Sequence, residues 1–198
     1  MPDRIDHLAC HRLNDHHAIY CGRLPPELMP NQDQFQVLWR LHPDTYHQIM
    51  IHGRLVNTPR WQQAYGFDYH YSRSLNKALP LPELLHPLLA WCKDTVDRRL
   101  NGILLNWYDG KLKHYIGRHR DSTDNMVPGT PIVTVSFGDT RTFRLRPWKG
   151  KGFVDFTIDD GTVFVMPYES NLHWTHEVPY SVQRLGRRVS VTLRAFSG

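Results

Sequence analysis

Six short segments in the second half of the chain are typical of β-strands. They are rich in β-branched and aromatic residues, and turn signals such as Gly138-Asp139 and Asp159-Asp160-Gly161 separate them. The segments are 103–108, 131–137, 141–146, 152–158, 161–167 and 188–194. Strands that recur at intervals of about ten residues are typical of sandwiches and barrels. The sequence therefore predicts a double-sheet β core, such as a jelly roll, over residues 103–198.

The first half of the chain carries helical patterns instead. Residues 31–40 predict a short amphipathic helix, and apolar spacing predicts a second helix over 84–100 with Pro87 in its first turn. Residues 1–17 are polar and rich in histidine, which is typical of a loosely held arm. The expected organisation is one α+β, mainly β domain, in which residues 18–102 pack on the β core.

Composition limits the partners and the compartment. No stretch approaches the roughly 20 apolar residues of a membrane span, and the first residues lack the apolar core of a signal peptide. The three cysteines are an odd, unclustered set, which indicates free thiols and a cytoplasmic location. A net charge of +5 fits a nucleic-acid partner, although a solvated basic surface explains it equally simply.

The segment around His119 and Asp121 is the first candidate for chemistry. Residues two apart in an extended chain point to the same side, so this imidazole and carboxylate can converge. Alone, the pair is more typical of a surface loop. With a downstream histidine, His173 or His176, it matches the two-histidine, one-carboxylate set that binds non-heme Fe(II).

The last predicted strand alternates in polarity. Val189, Val191 and Leu193 predict a core face, whereas the opposite face carries Arg188, Ser190, Thr192 and Arg194. If that polar face lines a dry cavity, its two guanidiniums could bind a small dianion. An ordinary half-exposed strand is the simpler alternative. Asn106 and Tyr108 likewise share one face of a strand, where they could reach the same cavity or pack its end.

Taken in order, these motifs resemble the AlkB family of Fe(II)- and 2-oxoglutarate-dependent dioxygenases. The family pattern is N-x-Y, H-x-D, a distal His, and R-x-N/S-x-T-x-R. It matches Asn106-Trp107-Tyr108, His119-Arg120-Asp121, His176 and the segment 188–194. Residues 131–138 and 59–66 resemble two further family stretches, the second belonging to the nucleotide-recognition region. The resemblance covers roughly residues 18–197 and implies a double-stranded β-helix with a nucleotide-recognition lid within 18–102.

The resemblance also implies ligands. His119, Asp121 and His176 would bind Fe(II), with His176 preferred to His173 because it occupies the family's H-x-x-P position. Fe(II), the co-substrate 2-oxoglutarate and O2 would be the cofactors. The expected contacts to 2-oxoglutarate are Arg188 with Asn106 and Tyr108 at the distal carboxylate, and Arg194 with Ser190 at the carboxylate nearest the metal.

The substrate side follows from the same resemblance. A methylated base would stack on His119 and on a lid aromatic residue, and at least two of the four lid aromatics are expected only to pack. The family's acidic residue after the iron-binding aspartate is replaced by Thr123, so Asp124 is the candidate to read the base. The lid aromatics are Trp61, Tyr65, Tyr69 and Tyr71.

Two basic clusters are expected to contact phosphates, with a solvated basic face as the alternative. Their members include Lys111, Lys113, Arg118 and Arg120 in one, and Arg141, Arg144, Arg146, Lys149 and Lys151 in the other.

The expected function is oxidative demethylation of bases such as N1-methyladenine and N3-methylcytosine, in DNA or RNA, by a monomer. Three alternatives stay open: an RNA or protein demethylase or hydroxylase of the same superfamily, a catalytically silent nucleic-acid binding module, and a zinc module. The zinc module would use Cys10, His11, His16, His17 and Cys21, which lack paired C-x-x-C spacing.

Overall fold

Two antiparallel sheets form the centre of the fold in the computed structural model, which describes residues 8–71 and 74–197. In chain order the strands are β1 Ala9–Arg12, β2 Ala18–Arg23, β3 Gln48–Ile51, β4 Arg54–Asn57, β5 Trp61–Tyr65, β6 Tyr69–Tyr71, β7 Ser74–Asn76, β8 Gly102–Asp109, β9 Ile116–His119, β10 Ile132–Gly138, β11 Arg141–Pro147, β12 Val154–Ile158, β13 Thr162–Met166, β14 Trp174–Val178 and β15 Arg187–Arg194. The α-helices are α1 Gln32–Arg40, α2 His86–Thr95 and α3 Tyr168–His173.

The larger sheet has seven strands in the order β1-β2-β13-β10-β15-β8-β5, and the smaller has four in the order β12-β11-β14-β9. One buried cluster joins them: Phe143 and Leu145 come from the small sheet, and Phe164 and Met166 from the large one. Two further hairpins, β3-β4 and β6-β7, lie within the predicted lid region. The two facing sheets confirm the predicted double-stranded β-helix, a mainly β fold.

The helices α1 and α2 cover the outer face of the large sheet. Asn31 caps α1 through a reciprocal pair of hydrogen bonds with Gln34, which satisfies N–H groups that the first helical turn leaves free. The buried face of α1 presents Leu38 and Trp39, and the Trp107 indole N–H donates to the Leu38 carbonyl over 2.9 Å. A second buried cluster therefore fills the space between helices and sheet.

All six strands predicted from the sequence are present, with ends that shift by at most two residues. The helix predicted over 84–100 is shorter, because α2 ends at Thr95. Beyond it the Asp97 carboxylate accepts hydrogen bonds from the backbone and guanidinium of Arg99, which favours a turn over another helical turn.

The predicted polar arm also needs correction. Within it, β1 pairs with β2 at the edge of the large sheet, so residues 9–12 are part of the fold. Residues 1–7 lie outside the described residues. In the part of the chain that the structure describes, no helix is both long and apolar enough to cross a membrane.

Candidate active site and metal centre

Three side chains able to bind a metal converge between the sheets. His119 ends β9 and lies directly opposite His176 on the paired strand β14, while Asp121 follows two residues after His119. The Nε2 atom of each histidine is 3.7 Å from Asp121 Oδ1. Among the described residues, this is the one group of three or more His, Cys, Asp or Glu side chains close enough to share an ion. The predicted zinc alternative around Cys10 and Cys21 has no such cluster.

Neighbouring groups fix the orientation of these side chains. The Asp121 backbone N–H donates to Asn171 Oδ1, and Asn171 Nδ2 donates back to the Asp121 carbonyl, each over 3.0 Å. His119 Nδ1 lies 2.8 Å from the Gly117 carbonyl, which favours the proton on Nδ1 and makes Nε2 the atom that would bind a metal. Sequence reasoning missed Asn171, which carries no motif signal and acts from the adjacent helix α3.

The electrostatics of the cluster suit a divalent cation. Burial, with a smaller contribution from His176, lowers the pKa of His119 to about 3, and burial also lowers the pKa of His176. Burial alone would raise the pKa of Asp121, but Arg194 and the two histidines outweigh it and hold that pKa below its usual range. At neutral pH the cluster is therefore two neutral imidazoles and one carboxylate, the state that binds metal without releasing protons.

Two buried arginines line the same cavity from β15 of the large sheet. Arg188 Nε donates to Ser136 Oγ over 2.8 Å, and its guanidinium carbon lies 5.1 Å from the Tyr108 ring centre. Arg194 Nη2 donates to Asp121 Oδ2 over 2.6 Å. Arg188 Nη1 and Arg194 Nε are buried without a hydrogen-bond partner among the described residues. Such donors are costly to bury unless a ligand pairs with them.

The cavity as a whole fits Fe(II) and a small dicarboxylate. Two imidazoles and one carboxylate form the facial donor set of non-heme iron oxygenases, with further positions left for ligands. The unpartnered Nη1 and Nε atoms supply charged donors for carboxylate groups. Asn106, Tyr108 and Ser190 line the same cavity, as the strand alternation predicts, whereas Val189 and Val191 face the helices.

A family model described as the 2OG-Fe(II) oxygenase superfamily matches residues 29–194. The chain belongs to this superfamily. Membership confirms the predicted class, a 2-oxoglutarate-dependent non-heme iron oxygenase, and with it the predicted Fe(II), 2-oxoglutarate and O2. The relatives that follow confirm the resemblance to the AlkB family.

The oxygenase is 30% identical over 159 residues to the DNA oxidative demethylase ALKBH2 of Homo sapiens, covering 74% of this chain and 60% of that protein. It is 31% identical over 150 residues to the alpha-ketoglutarate-dependent dioxygenase alkB homolog 3 of Rattus norvegicus, covering 69% and 50%. The chain thus spans between half and two thirds of these relatives. A solved structure of OsALKBH1 shares the fold, with a TM-score of 0.58, 14% identity and coverage of 94% of this chain and 100% of that one.

Two cavity residues of the oxygenase were missed from the sequence. Arg60 Nε donates to Asn106 Oδ1 over 2.8 Å, and Gln62 lies opposite Asn106 on the neighbouring strand β5. Both side chains are buried and line the cavity, and neither polar atom of the Gln62 amide has a partner among the described residues. The usable signal was their spacing of two, which in an extended chain turns both side chains to the same side.

The same alternation turns two of the four predicted lid aromatics away from the cavity. Trp61 pairs with Trp107, and Tyr65 pairs with Ile103, on the face of β8 that packs against the helices. Trp61 is stacked against the His42 ring at 4.1 Å and the Tyr46 ring at 5.5 Å. Neither ring is therefore placed to stack on a base in the cavity, as expected of at least two of the four lid aromatics. Both residues are one position out of phase with Gln62, so they stabilise the outer core.

Tyr69 and Asp124, two further predicted substrate residues, line spaces that also include metal-cluster residues. Tyr69 lines the cavity, and the Arg194 guanidinium carbon lies 4.7 Å from its ring centre. Asp124 is exposed in the loop after Asp121, beside a groove that includes His119 and Asp121. Tyr71 ends β6, and its side chain lies outside the described residues.

Some of the predicted phosphate contacts are exposed, whereas others already bind groups within the protein. Lys111 and Lys113 are exposed. Arg141 is wrong as a phosphate contact, because it is buried and binds Asp139 and the Gly186 carbonyl. Arg144 forms a two-bond ion pair with Asp155, which already occupies its guanidinium. Arg118 donates to Thr175 and to the carbonyls of residues 147 and 148, so it stabilises the loop after β11.

Proposed function

We propose that the chain is an oxidative demethylase of alkylated nucleobases, acting on N1-methyladenine and N3-methylcytosine in DNA, with RNA as a second class to be tested. The observation that carries the proposal is the convergence of His119, Asp121 and His176 with two buried, partly unpartnered guanidiniums in one cavity. The relatives, among them a DNA oxidative demethylase, support the substrate class. The predicted monomer and cytoplasmic location remain predictions.

Bound Fe(II), together with 2-oxoglutarate and O2, supplies the oxidation of a C–H bond, while 2-oxoglutarate is converted to succinate and CO2. A methyl group on a ring nitrogen that gains a hydroxyl in this way departs as formaldehyde. The ring nitrogen is left without its methyl group, so the base is restored.

The chain's own residues position the reactants. His119, Asp121 and His176 would hold Fe(II), and Arg194 binds the outer oxygen of Asp121, so that Oδ1 stays turned towards both imidazoles. Arg188, with Asn106 and Tyr108, would bind the distal carboxylate of 2-oxoglutarate. Arg194, with Ser190, would bind the carboxylate nearest the metal. Because the guanidiniums are fixed by burial, they lose little freedom when the dianion binds.

A methylated base has to leave its stack to reach this cavity. His119 and Tyr69 both line the cavity and could contact a base face, and Asp124 could accept a hydrogen bond from its exocyclic amine. The Gln62 amide, buried and unpartnered, could read a polar edge of whichever ligand enters the cavity.

The test is formaldehyde release, with succinate measured in parallel, from matched methylated and unmethylated oligonucleotides of DNA and RNA. We expect release only from methylated strands and only with Fe(II) and 2-oxoglutarate. Asp121→Ala is the inactive control. Succinate without formaldehyde from any methylated strand would refute the nucleobase proposal and favour another substrate of the same superfamily, such as a protein. Absence of both products would favour a silent binding module.

A further inference from the structure

A surface groove leads away from the metal cluster. Its inner part is lined by the loop 118–124, and its outer part by His17, Lys149 and His173; Arg120, Trp148 and Leu172 belong to both. We call this continuous surface the Trp148 groove. Because its inner part includes His119 and Asp121, a nucleic-acid strand with one nucleotide at the metal cluster would pass along this groove.

Trp148 is the distinguishing residue of this groove. Its side chain is 47% exposed, which is unusual for a large apolar ring, yet its backbone is held on both sides. The Trp148 N–H donates to the His173 carbonyl over 2.8 Å, and Arg118 Nη2 donates to the carbonyls of Pro147 and Trp148 over 2.7 and 3.2 Å. The fold thus holds an exposed indole in one place without burying it.

A cation covers part of the indole. The Arg120 guanidinium carbon lies 4.2 Å from the Trp148 ring centre, and Arg120 Nη1 donates to the Leu172 carbonyl over 2.7 Å. The indole is therefore fixed by Arg120 as well as by its backbone, and part of its surface stays open to the groove. A fixed aromatic surface next to a cation is the arrangement on which bases of single strands stack.

The charge of the groove favours an anion. Lys149 is exposed beside Trp148, and none of the described side chains that line the outer part is acidic. His17 and His173 lie 4.8 Å apart, and burial, with His173 and His16, lowers the pKa of His17 despite Glu169 nearby. His17 is thus mostly neutral at neutral pH, and Arg120 and Lys149 supply the fixed positive charge. Asp124 is the free carboxylate of the inner part, since Asp121 is paired with Arg194.

We propose that the Trp148 groove binds the single-stranded nucleotides that flank the modified one, with a base stacked on Trp148 and a phosphate near Lys149. This rests on the proposed function, because it takes the cavity's substrate to be a nucleotide within a strand. It assigns binding to residues of the loop after β11, beyond the motifs that hold the metal and co-substrate.

The test is equilibrium binding of an unmethylated single-stranded oligonucleotide of about ten nucleotides, a length that such grooves cover. We expect Trp148→Ala to weaken binding by about 5- to 150-fold, the range of one base–aromatic stack. Trp148→Phe should restore most of the affinity, since it keeps a ring. The matched control is Tyr180→Ala, which removes an equally exposed ring, 47%, outside the groove and should bind as wild type does. Thermal melting checks that each variant is folded.

A second variant tests the charge. Lys149→Gln should make the decrease of log affinity with log salt concentration shallower by about 0.7, the value for one phosphate contact on a single strand. A duplex of the same sequence should respond less to Trp148→Ala, because its bases are already stacked.

Binding and turnover separate the two proposals. If the wild-type protein binds single strands but releases no formaldehyde, the demethylase proposal is refuted and the proposal for the Trp148 groove stands. Wild-type affinity in Trp148→Ala, or equal losses in the Ala and Phe variants and the Tyr180 control, refutes the groove alone. Absence of single-strand binding by the wild type also refutes it.

Discussion

Arg188 offers the sharpest test of the cavity, because its replacement should move stability and co-substrate affinity in different directions. The side chain is 1% exposed, and its Nε donates a hydrogen bond to Ser136 Oγ. Burial lowers the pKa of Arg188 to about 10, which corresponds to roughly 3 kcal/mol of unfavourable free energy for the charged form. Arg188→Met keeps the length and removes the charge. We therefore expect the free energy of unfolding without ligand to stay level or rise.

The affinity for 2-oxoglutarate should fall in the same variant. Removing one partner of a buried, hydrogen-bonded charge pair costs about 2–4 kcal/mol, which is about 30- to 1,000-fold in Kd. At a 2-oxoglutarate concentration of about 100 times the wild-type Kd, ligand stabilises the wild type by about 2.7 kcal/mol. A 100-fold weaker variant gains only about 0.4 kcal/mol.

Thermal melting measures both effects at once. With a redox-inert divalent cation present, 2-oxoglutarate should raise the wild-type Tm by about 5–10 °C and the variant Tm by about 1 °C. Arg188→Lys is the matched control: it keeps the charge without the planar fork and should bind with intermediate affinity. Unchanged 2-oxoglutarate affinity in Arg188→Met would remove this residue from the co-substrate site. A large loss of stability without ligand would show that the guanidinium is a structural ion.

Four further predictions follow from the same geometry. Arg194→Lys should weaken 2-oxoglutarate binding in calorimetry, because a point charge cannot serve Asp121 and a carboxylate as a fork does; unchanged affinity would contradict this. Asp121→Ala should abolish succinate formation and the Tm rise caused by a divalent cation, and retained turnover would mean that the ligands are misassigned. Gln62→Leu should keep or raise the Tm, because both polar atoms of the amide are buried without partners among the described residues. The same variant should lower kcat/KM for the methylated strand, and an unchanged kcat/KM would refute a role for Gln62 in ligand recognition. Arg141→Ala should reduce the free energy of unfolding by about 2–3 kcal/mol in denaturant titration, with oligonucleotide affinity unaltered, and the reverse pattern would restore Arg141 as a phosphate contact.

The β core could be predicted from the sequence because its strands carry strong local signals. The segment 188–194 alternates without a break, and the same alternation divides the cavity side from the helix side in the structure. The strands β9 and β14 were missed because their sequences, IGRH and WTHEV, contain glycine, charges and histidines in place of β-branched runs. Yet these two strands carry His119 and His176. The metal cluster could be predicted only from ordered motifs, since local propensity is weakest where chemistry requires polar residues.

The errors in the site have a common cause. The residue type alone does not show to which face of a strand its side chain points. Arg60, which directly precedes β5, and Gln62 within it line the cavity, whereas Trp61 and Tyr65 face the helices, so a displacement of one residue exchanges the two sets. Aromatic residues drew attention as base-stacking candidates, although their large apolar area makes them equally suited to a core. The register with β8 decides between these roles, and that pairing joins residues far apart in the chain, such as Trp61 and Trp107, which are 46 residues apart. Arg141 shows the same limit for charge: its alternating position places it inside the fold, where Asp139 neutralises it.

Each of the two sheets supplies a different part of the site. Both the metal-binding motifs and the alternating strand with its two arginines were therefore needed to identify it. The small sheet and its following loop hold the metal-binding side chains, whereas the large sheet supplies the guanidiniums for the dianion. Neither set is complete within one sheet. The ion pair between Arg194 and Asp121 joins the two across the cavity, so the carboxylate that would bind the metal is oriented by the residue that would bind the co-substrate. Metal and co-substrate affinity should therefore be coupled through Arg194, because any ligand that engages this guanidinium also acts on the carboxylate beside the metal.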